Sequence, residues 1–212
     1  MSEIWDRVYA KDSSFFGEKP SSFATLCYED FSKYGCRKLL ELGCGQGRDT
    51  IFFAYKGLEV HAIDSSKVAI KTLNERTRKE NVSINLQNFD AQSGLPFDNN
   101  YFDVVYSHMF YNMNFTDDQL KFLFNESSRV LKDNGLLYFS VRSDKDTLYN
   151  KGKQIANNIY EINNFQIRFF TTEQIEYFLS HNFIINRIIE DYEEPASLYF
   201  VFATKNKISH LN

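Results

Sequence analysis

The sequence predicts an α/β fold in which a mostly parallel sheet of seven strands carries helices on both faces. Short apolar segments alternate with segments of helical periodicity along the 212 residues, which implies parallel strands between two helical layers. A cluster of glycines follows the first predicted strand. Near the C-terminus, two strands are joined only by the short turn 193–196, so we expect an antiparallel hairpin at the sheet edge.

Each element has a local signal. Thr116 with Gln119, and Thr171 with Gln174, have the capping-box spacing that begins a helix, and Gly57 is suited to end one. Helices are predicted as an N-terminal pair within 1–35 and at 48–57, 66–80, 116–132 and 171–182. Strands are predicted at 37–42, 58–64, 83–90, 102–109, 135–141, 183–192 and 197–205.

The composition favours one domain. A hydrophobic fraction of 43% supports a single sizeable core, so we expect one domain over 1–212. Its predicted parts are an N-terminal helical lid segment at 1–35, a core at 36–205 and a loose tail at 206–212.

Charge and cysteine content narrow the class of partner. The net charge is -4 and there is no long Lys/Arg block, so nucleic acid is not an expected partner. No segment is typical of a signal peptide or a membrane span, which predicts a cytoplasmic protein that does not bind membranes. The three cysteines are odd in number and lack paired zinc spacing, so we expect reduced thiols and no metal site.

The glycines form the segment "LELGCGQGRD" between the first strand and the next helix. Glycines let a ligand approach the backbone closely, and this turn is the usual ligand site of open α/β sheets. A dinucleotide fingerprint requires a third glycine where Arg48 stands, and a phosphate-binding P-loop requires Lys and Ser or Thr, so both templates fail. What remains is an acid before the glycines, Glu41, and an acid at the end of each of the next two strands, Asp64 and Asp90.

This arrangement resembles the cofactor site of class I S-adenosylmethionine-dependent methyltransferases, which have a Rossmann-like sheet with an antiparallel strand at its C-terminal end. The resemblance implies S-adenosyl-L-methionine as the cofactor and S-adenosyl-L-homocysteine as the product. Glu41 would lie near the cofactor amino group, Asp64 would bind the ribose hydroxyls, and Asp90 with the Ala91 N–H would contact the adenine. The implied cofactor residues are Glu41, Gly43, Cys44, Gly45, Gly47, Asp64, Ser65, Asp90, Ala91 and Ser107.

Each of these roles has a structural alternative. The glycines could serve only a tight turn, Asp64 could cap the helix that starts at Ser66, and Asp90 could end its strand in an Asx-turn. Cys44 has no obvious base partner, so a small side chain that fits the loop is the favoured interpretation over a nucleophile.

The N-terminal segment "IWDRVYAKDSSFFGEKPSSFA" and the later "LYNKGKQIANNIYE" resemble small methyltransferases of the tellurite-resistance and thiopurine type. That resemblance implies a small-molecule acceptor with a soft nucleophile, a thiol or an oxyanion. Asn150 departs from the expected glycine, which leaves the acceptor open. The predicted acceptor pocket contains Trp5, Tyr9, Tyr106, Tyr111, Asn112 and Arg142. The alternatives are core aromatics for Trp5 and Tyr9, and a surface ion pair for Arg142.

Methyl transfer is an in-line displacement that depends mainly on alignment. An acceptor that carries a proton also needs a base, and His108 is the candidate by location and chemistry, with a role in shaping the pocket wall as the alternative. Other functions remain open at this point: methylation of protein or RNA, or a non-catalytic module that binds S-adenosylmethionine. A monomer or a homodimer is expected.

Overall fold

The computed structural model describes residues 2–207, so residues 208–212 of the predicted tail lie outside the described residues. The main sheet has seven strands in the order β3-β2-β1-β4-β5-β10-β9. Their bounds are β1 Lys38–Leu42, β2 Glu59–Asp64, β3 Asn85–Asn88, β4 Phe102–His108, β5 Leu131–Arg142, β9 Phe183–Glu193 and β10 Ala196–Lys205. β1 to β5 pair in parallel, whereas β10 pairs antiparallel with both β5 and β9. The predicted fold class and the C-terminal hairpin are thereby confirmed.

Helices cover both faces of this sheet. The bounds are α1 Ser2–Lys11, α2 Ser22–Lys33, α3 Arg48–Tyr55, α4 Lys67–Glu80, α5 Asp117–Val130 and α6 Thr172–Leu179. One core cluster contains apolar side chains of α2, α3 and α4, and the other contains those of α5 and α6. Neighbouring residues of β1 divide between the clusters, with Leu39 in one and Leu40 in the other, as expected when side chains alternate across a strand.

Both predicted capping boxes are present at the first residues of α5 and α6. Gly57 follows the end of α3 with φ +85°, as its predicted role requires. The end of α5 differs from the prediction, because Leu131 already has the extended backbone of β5 and pairs with Phe102. None of the helices within 2–207 combines the length and apolarity needed to cross a lipid bilayer.

A second, antiparallel sheet lies between β5 and α6 and was not predicted as strands. It consists of β6 Lys153–Ala156, β7 Ile159–Ile162 and β8 Phe165–Arg168. The chain leaves and rejoins the main sheet at one place, where Ser143 and Phe170 form a β-bridge and the Phe170 N–H donates to the carbonyl of Arg142 at 2.9 Å. The segment 144–169 is therefore an insertion whose two ends are adjacent.

Candidate functional site

A cavity of about 590 Å³ lies at the carboxyl ends of the central parallel strands. The glycine loop forms one part of its wall, and the N-terminal segment and the second sheet cover another. Of the predicted site residues, those that line the cavity are Trp5, Tyr9, Glu41, Gly43, Cys44, Gly45, Gly47, Asp64, Ser65, Asp90, Ala91, His108, Asn112 and Arg142. The structure thus brings together residues that are far apart in the sequence.

The glycine loop is held against the end of β2. The N–H groups of Gly43 and Cys44 both donate to the carbonyl of Ile63, at 2.9 and 3.1 Å. The Gly45 N–H donates to Asp64 Oδ2 at 2.9 Å. These bonds fix the loop as a cradle beside the strand end that carries Asp64.

Gly47 is the N-cap of α3 and has φ +84°, a left-handed conformation that favours glycine. A Cβ at this position would lie 2.1 Å from Leu73 Cδ1. Glycine is therefore favoured here both by the backbone conformation and by the close approach of the Leu73 side chain from α4. Gly47 therefore serves the tight turn, as the structural alternative proposes, and it also lines the cavity wall.

Cys44 is buried within the loop, and its Sγ contacts the Gly45 carbonyl at 3.8 Å. Burial, followed by the charges of Asp64 and Glu41, raises the pKa of the Cys44 thiol well above its usual value. A thiol that stays protonated is a poor nucleophile, which agrees with its predicted role as a small residue that fits the loop.

Asp64 accepts one backbone hydrogen bond on each oxygen, from Gly45 on Oδ2 and from Ser66 on Oδ1 at 2.8 Å. The N-cap of α4 is Ser66, whose side chain accepts from the Ala69 N–H, so Asp64 is not that cap. Burial raises the pKa of Asp64 above its ordinary value, although the two backbone donors act in the opposite direction. Each carboxylate oxygen has more than one acceptor position, so a pair of ligand hydroxyls can still bind.

Glu41 is 3% exposed, and its Oε2 is buried without a hydrogen-bond partner. Burial, followed by the charge of Asp49, raises the pKa of Glu41 well above its usual value. An ionised carboxylate in such a place is costly unless a cation compensates it. A ligand ammonium group bound at Glu41 would supply that cation.

Asp90 is exposed at the cavity and accepts a hydrogen bond from the Gln92 N–H at 3.0 Å. This bond caps the short 3-10 turn Ala91–Ser93, so the Asx-turn alternative describes its local geometry. Asp90, Ala91 and Phe89 form one stretch of the wall. Phe89 was not predicted, although it immediately precedes Asp90 and supplies an apolar face there.

Three predicted residues do not reach the cavity. Tyr106 and Tyr111 are fully buried in different core clusters. The Tyr106 hydroxyl donates to Asp49, and the Tyr111 hydroxyl forms a hydrogen bond with Ser127 Oγ. Ser107 is also fully buried, and its Oγ has no partner. β4 continues to His108, so residues 106 and 107 still face the helical layers, and their predicted placement beside the ligand is wrong.

The other part of the cavity is largely apolar. Tyr9 stacks on Trp5 with ring centroids 5.4 Å apart, and Trp5 meets Phe165 of the second sheet at 5.6 Å. Further apolar side chains here are Phe15, Phe16, Met109, Phe110, Met113, Phe115, Leu148, Ile162 and Ile167. Trp5 and Tyr9 are therefore wall residues, and Tyr9 is also buried in the core.

A chain of polar contacts crosses this wall. Arg48 Nη2 donates to Glu193 Oε1 at 2.6 Å, and Glu193 Oε2 lies 3.3 Å from His108 Nε2. The second pair is close enough for an ion pair but lacks hydrogen-bond alignment. On its other side, His108 Nδ1 lies 2.7 Å from Ser140 Oγ. Burial alone would raise the pKa of Glu193, but His108 and Arg48 lower it to about 2.

Arg142 is paired with Asp146, the Nη1 to Oδ2 distance being 2.6 Å. Asp146 is buried and also accepts from the Ser197 N–H. Arg142 is thus in an ion pair, but the pair is largely buried in the cavity wall and does not lie on the surface as the alternative supposed. Asn112 lines the wall nearby with its Oδ1 buried and without a partner.

The polar residues of the glycine loop hold the N-terminal segment. Gln46 donates to the Asp12 carbonyl at 2.8 Å and accepts from the Phe15 N–H at 3.0 Å. Arg48 donates to the Phe16 carbonyl at 3.1 Å. Asp49 accepts from the backbone and hydroxyl of Ser21 and from the Tyr106 hydroxyl, all within 2.8 Å.

Sequence reasoning missed Gln46, Arg48, Asp49 and Glu193 as parts of the site. The signal for the first three was available, because polar residues between and after cofactor glycines lie at the ligand edge of the sheet. Glu193 had only one signal, its position in the hairpin turn 193–196.

Comparison with known proteins gives matches in sequence and fold. Residues 39–135 match a family model described as a methyltransferase domain. A stretch of 56 residues is 38% identical to a probable S-adenosyl-L-methionine-dependent methyltransferase, TehB, of Haemophilus influenzae, and covers 26% of this chain and 20% of that protein. The chain thus spans about a fifth of the length of the curated relatives it matches.

Solved structures resemble the chain over nearly its whole length. An S-adenosylmethionine-dependent methyltransferase of Clostridium acetobutylicum has a TM-score of 0.75 at 17% identity, covering 97% of each chain. The cyclase SpnF has a TM-score of 0.75 at 17% identity, covering 96% of this chain and 94% of that one. At these identities the likeness establishes the fold.

Proposed function

We propose that this protein is a class I S-adenosylmethionine-dependent methyltransferase that transfers the cofactor's methyl group to a small-molecule acceptor. The observation that carries the proposal is the cavity of about 590 Å³, in which the glycine loop and three strand-end acids adjoin an apolar compartment with few polar groups. A cofactor and an acceptor would meet between these two parts.

The residues present fit S-adenosylmethionine. The unpartnered Oε2 of Glu41 suits the cofactor amino group, and the open acceptor positions of Asp64 suit two ribose hydroxyls. Asp90, Ala91 and Phe89 offer polar and apolar contacts for the adenine. When bound, the cofactor supplies a methyl group activated by the sulfonium, and the protein's task is to align the acceptor and exclude water.

A soft nucleophile remains our prediction for the acceptor, and the wall favours the thiol over the oxyanion. Arg142, the predicted contact for an anion, already has a carboxylate partner in Asp146. His108 faces the cavity and is the candidate base for an acceptor that carries a proton. The cytoplasmic location and the monomeric or dimeric state also stay predictions.

A second candidate is a protein that binds the cofactor without transferring its methyl group, or that uses the cavity for other chemistry. The fold likeness to a protein named as a cyclase favours keeping this candidate. A protein or RNA acceptor is less favoured, because the N-terminal segment and the second sheet cover the acceptor part of the cavity through the contact of Trp5 with Phe165.

Calorimetry with S-adenosylmethionine and S-adenosylhomocysteine tests the cofactor site. Asp64→Ala should weaken binding about 100-fold, because hydrogen bonds to a charged group are each worth about 1.5–3 kcal/mol. Asp98→Ala removes an exposed aspartate outside the cavity wall and should bind like the wild type. Undiminished binding by Asp64→Ala would contradict the assigned site, and binding without product formation across thiols, amines and oxyanions would favour the second candidate.

A further inference from the structure

Glu193 and His108 face the cavity from two different strands, β9 and β4. Both Glu193 Oε2 and His108 Nε2 are buried without a hydrogen-bond partner, and they lie 3.3 Å apart. Buried polar atoms without partners are rare in folded proteins, because each one costs free energy. The two atoms are each other's nearest polar neighbours but are not aligned for a hydrogen bond, so an X–H group that enters from the cavity can donate to this pair.

In each of the two side chains, the other polar atom is held by a hydrogen bond. Arg48 binds Glu193 through Oε1, which directs Oε2 toward His108. Ser140 Oγ binds His108 Nδ1 and also accepts from the Met109 N–H at 3.0 Å. When Nδ1 carries the hydrogen and donates to Ser140, the lone pair of Nε2 is directed toward the cavity.

The charges in the wall select the acceptor. Arg48 and Arg142 are the only permanently cationic residues among the described residues that line the cavity, and each has a carboxylate partner within 2.6 Å. An anionic acceptor would therefore lack a free counter-ion and would meet Glu193. The apolar side chains around Trp5 and Phe165 suit an uncharged body.

We propose that His108 and Glu193 form a proton-accepting pair for an uncharged nucleophile that carries a proton, such as a thiol, phenol or arylamine on an apolar body. This inference rests on the proposed methyl transfer. His108 is the catalytic base, and Glu193 is a positioning residue that stabilises the imidazolium. Asn112 Oδ1, which is also buried and unpartnered in the wall, is available to the second N–H of an arylamine acceptor.

In the transfer step, the X–H proton of the acceptor would pass to His108 Nε2 while the lone pair of the acceptor atom X forms the bond to the methyl carbon. The carbon–sulfur bond would break at the same time, with its electron pair left on sulfur. The products are the methylated acceptor, S-adenosylhomocysteine and an imidazolium beside Glu193. The charged groups around His108 are Glu193 directly, and Arg48 and Asp49 behind it.

Binding can be measured without knowing the natural acceptor, because Trp5 is the single tryptophan of the chain and lies in the cavity wall. The probes are phenylmethanethiol, phenol and aniline, with benzoate as the anion, titrated into protein loaded with S-adenosylhomocysteine. Trp5 emission should show the three uncharged probes binding at least about tenfold more tightly than benzoate. Glu193→Gln should weaken the uncharged probes about tenfold, because the glutamine amide N–H donates to His108 Nε2 and competes with the probe for its lone pair.

Glu190→Gln is the matched control, because it makes the same charge change on the same strand at an exposed position. Its probe binding should equal that of the wild type. The inference would be overturned if benzoate bound as tightly as phenol, or if no uncharged probe bound. Equal behaviour of the two glutamine variants would also overturn it. Failure of S-adenosylhomocysteine itself to bind the wild type would instead overturn the proposed function.

The rate gives a second readout for the thiol or phenol. In the wild type the rate should change little between neutral and mildly alkaline pH, whereas in His108→Gln it should rise about tenfold per pH unit, because only acceptor that is already ionised reacts. Glu193→Gln should lower kcat more than it raises KM. A His108→Gln profile parallel to the wild type would show that His108 only shapes the wall.

Discussion

Replacement of Gly47 by alanine tests the structure of the cofactor loop at its tightest point. Gly47 has φ +84°, and an added Cβ would lie 2.1 Å from Leu73 Cδ1 and 2.9 Å from Leu73 Cδ2. Gly57, at the other end of α3, has φ +85° with no atom within 4 Å of an added Cβ. The two glycines therefore share a backbone conformation and differ in packing.

The expected costs follow from that difference. A left-handed alanine costs roughly 1–2 kcal/mol, which is partly offset because alanine also restricts the unfolded chain. Overpacking a core contact costs about 1–3 kcal/mol more. We expect Gly57→Ala to lower the free energy of unfolding by about 1 kcal/mol and Gly47→Ala to lower it by about 3 kcal/mol.

Thermal and urea unfolding of the two variants measure these costs. In a domain of this size 1 kcal/mol shifts Tm by about 2–4 °C, so Gly57→Ala should lose about 3 °C and Gly47→Ala about 9 °C. A double variant, Gly47→Ala with Leu73→Ala, separates the two contributions. Because Leu73→Ala removes the clash, the double variant should be more stable than the sum of the single effects predicts, by about 1–2 kcal/mol.

Equal losses of stability in Gly47→Ala and Gly57→Ala would refute this expectation. That result would mean that Leu73 moves aside without cost. Strict additivity in the double variant would lead to the same conclusion.

The remaining predictions concern two buried acids. Asp49→Ala leaves the Ser21 donors and the Tyr106 hydroxyl without an acceptor, so it should lower the free energy of unfolding in urea by about 3 kcal/mol or more. A loss below about 1 kcal/mol would show that water replaces the carboxylate. Glu41→Gln should stabilise the ligand-free protein while weakening S-adenosylmethionine binding at least about tenfold. The folded-state pKa of Glu41 is raised above 4.5, so the folded state binds this proton more tightly, and the wild type loses stability relative to the variant as pH rises above that value. The melting curves of the wild type and Glu41→Gln should therefore differ less at pH 4 than at pH 8. If Glu41→Gln were less stable than the wild type at pH 8, the role assigned to Glu41 would be contradicted.

The sequence predicted the main sheet because its strands and helices carry strong local signals. The glycine loop and the two capping boxes have positional requirements that few residue types satisfy, so their locations followed directly. Glu41 and Asp64 also lie where the strand ends predicted them, in the wall of one cavity.

The second sheet and part of the acceptor pocket could not be predicted for physical reasons. β6 is exposed along its whole length, so no apolar alternation marks it, and the turns of this sheet use Asn158, Asn163 and Asn164 at positive φ in place of glycine. Tyr106 and Tyr111 were misplaced because proximity to a strand end does not reveal which side a side chain faces. Glu193 reaches His108 only through the pairing of β9 at the far edge of the sheet, a contact between residues distant in sequence.

The adjacent ends of the insertion 144–169 have a consequence for engineering the acceptor wall. Because Ser143 and Phe170 are bridged, we expect that a segment of another length can connect β5 to α6 if it keeps the contacts of Asp146 with Arg142 and the Ser197 N–H. The acceptor wall contributed by Ile162 and Phe165 would then change, while Glu41, which lies on β1, would stay in place. The cofactor acid thus lies on the central sheet and part of the acceptor wall lies on a separate segment, so we expect exchange of that segment to change acceptor binding more than cofactor binding.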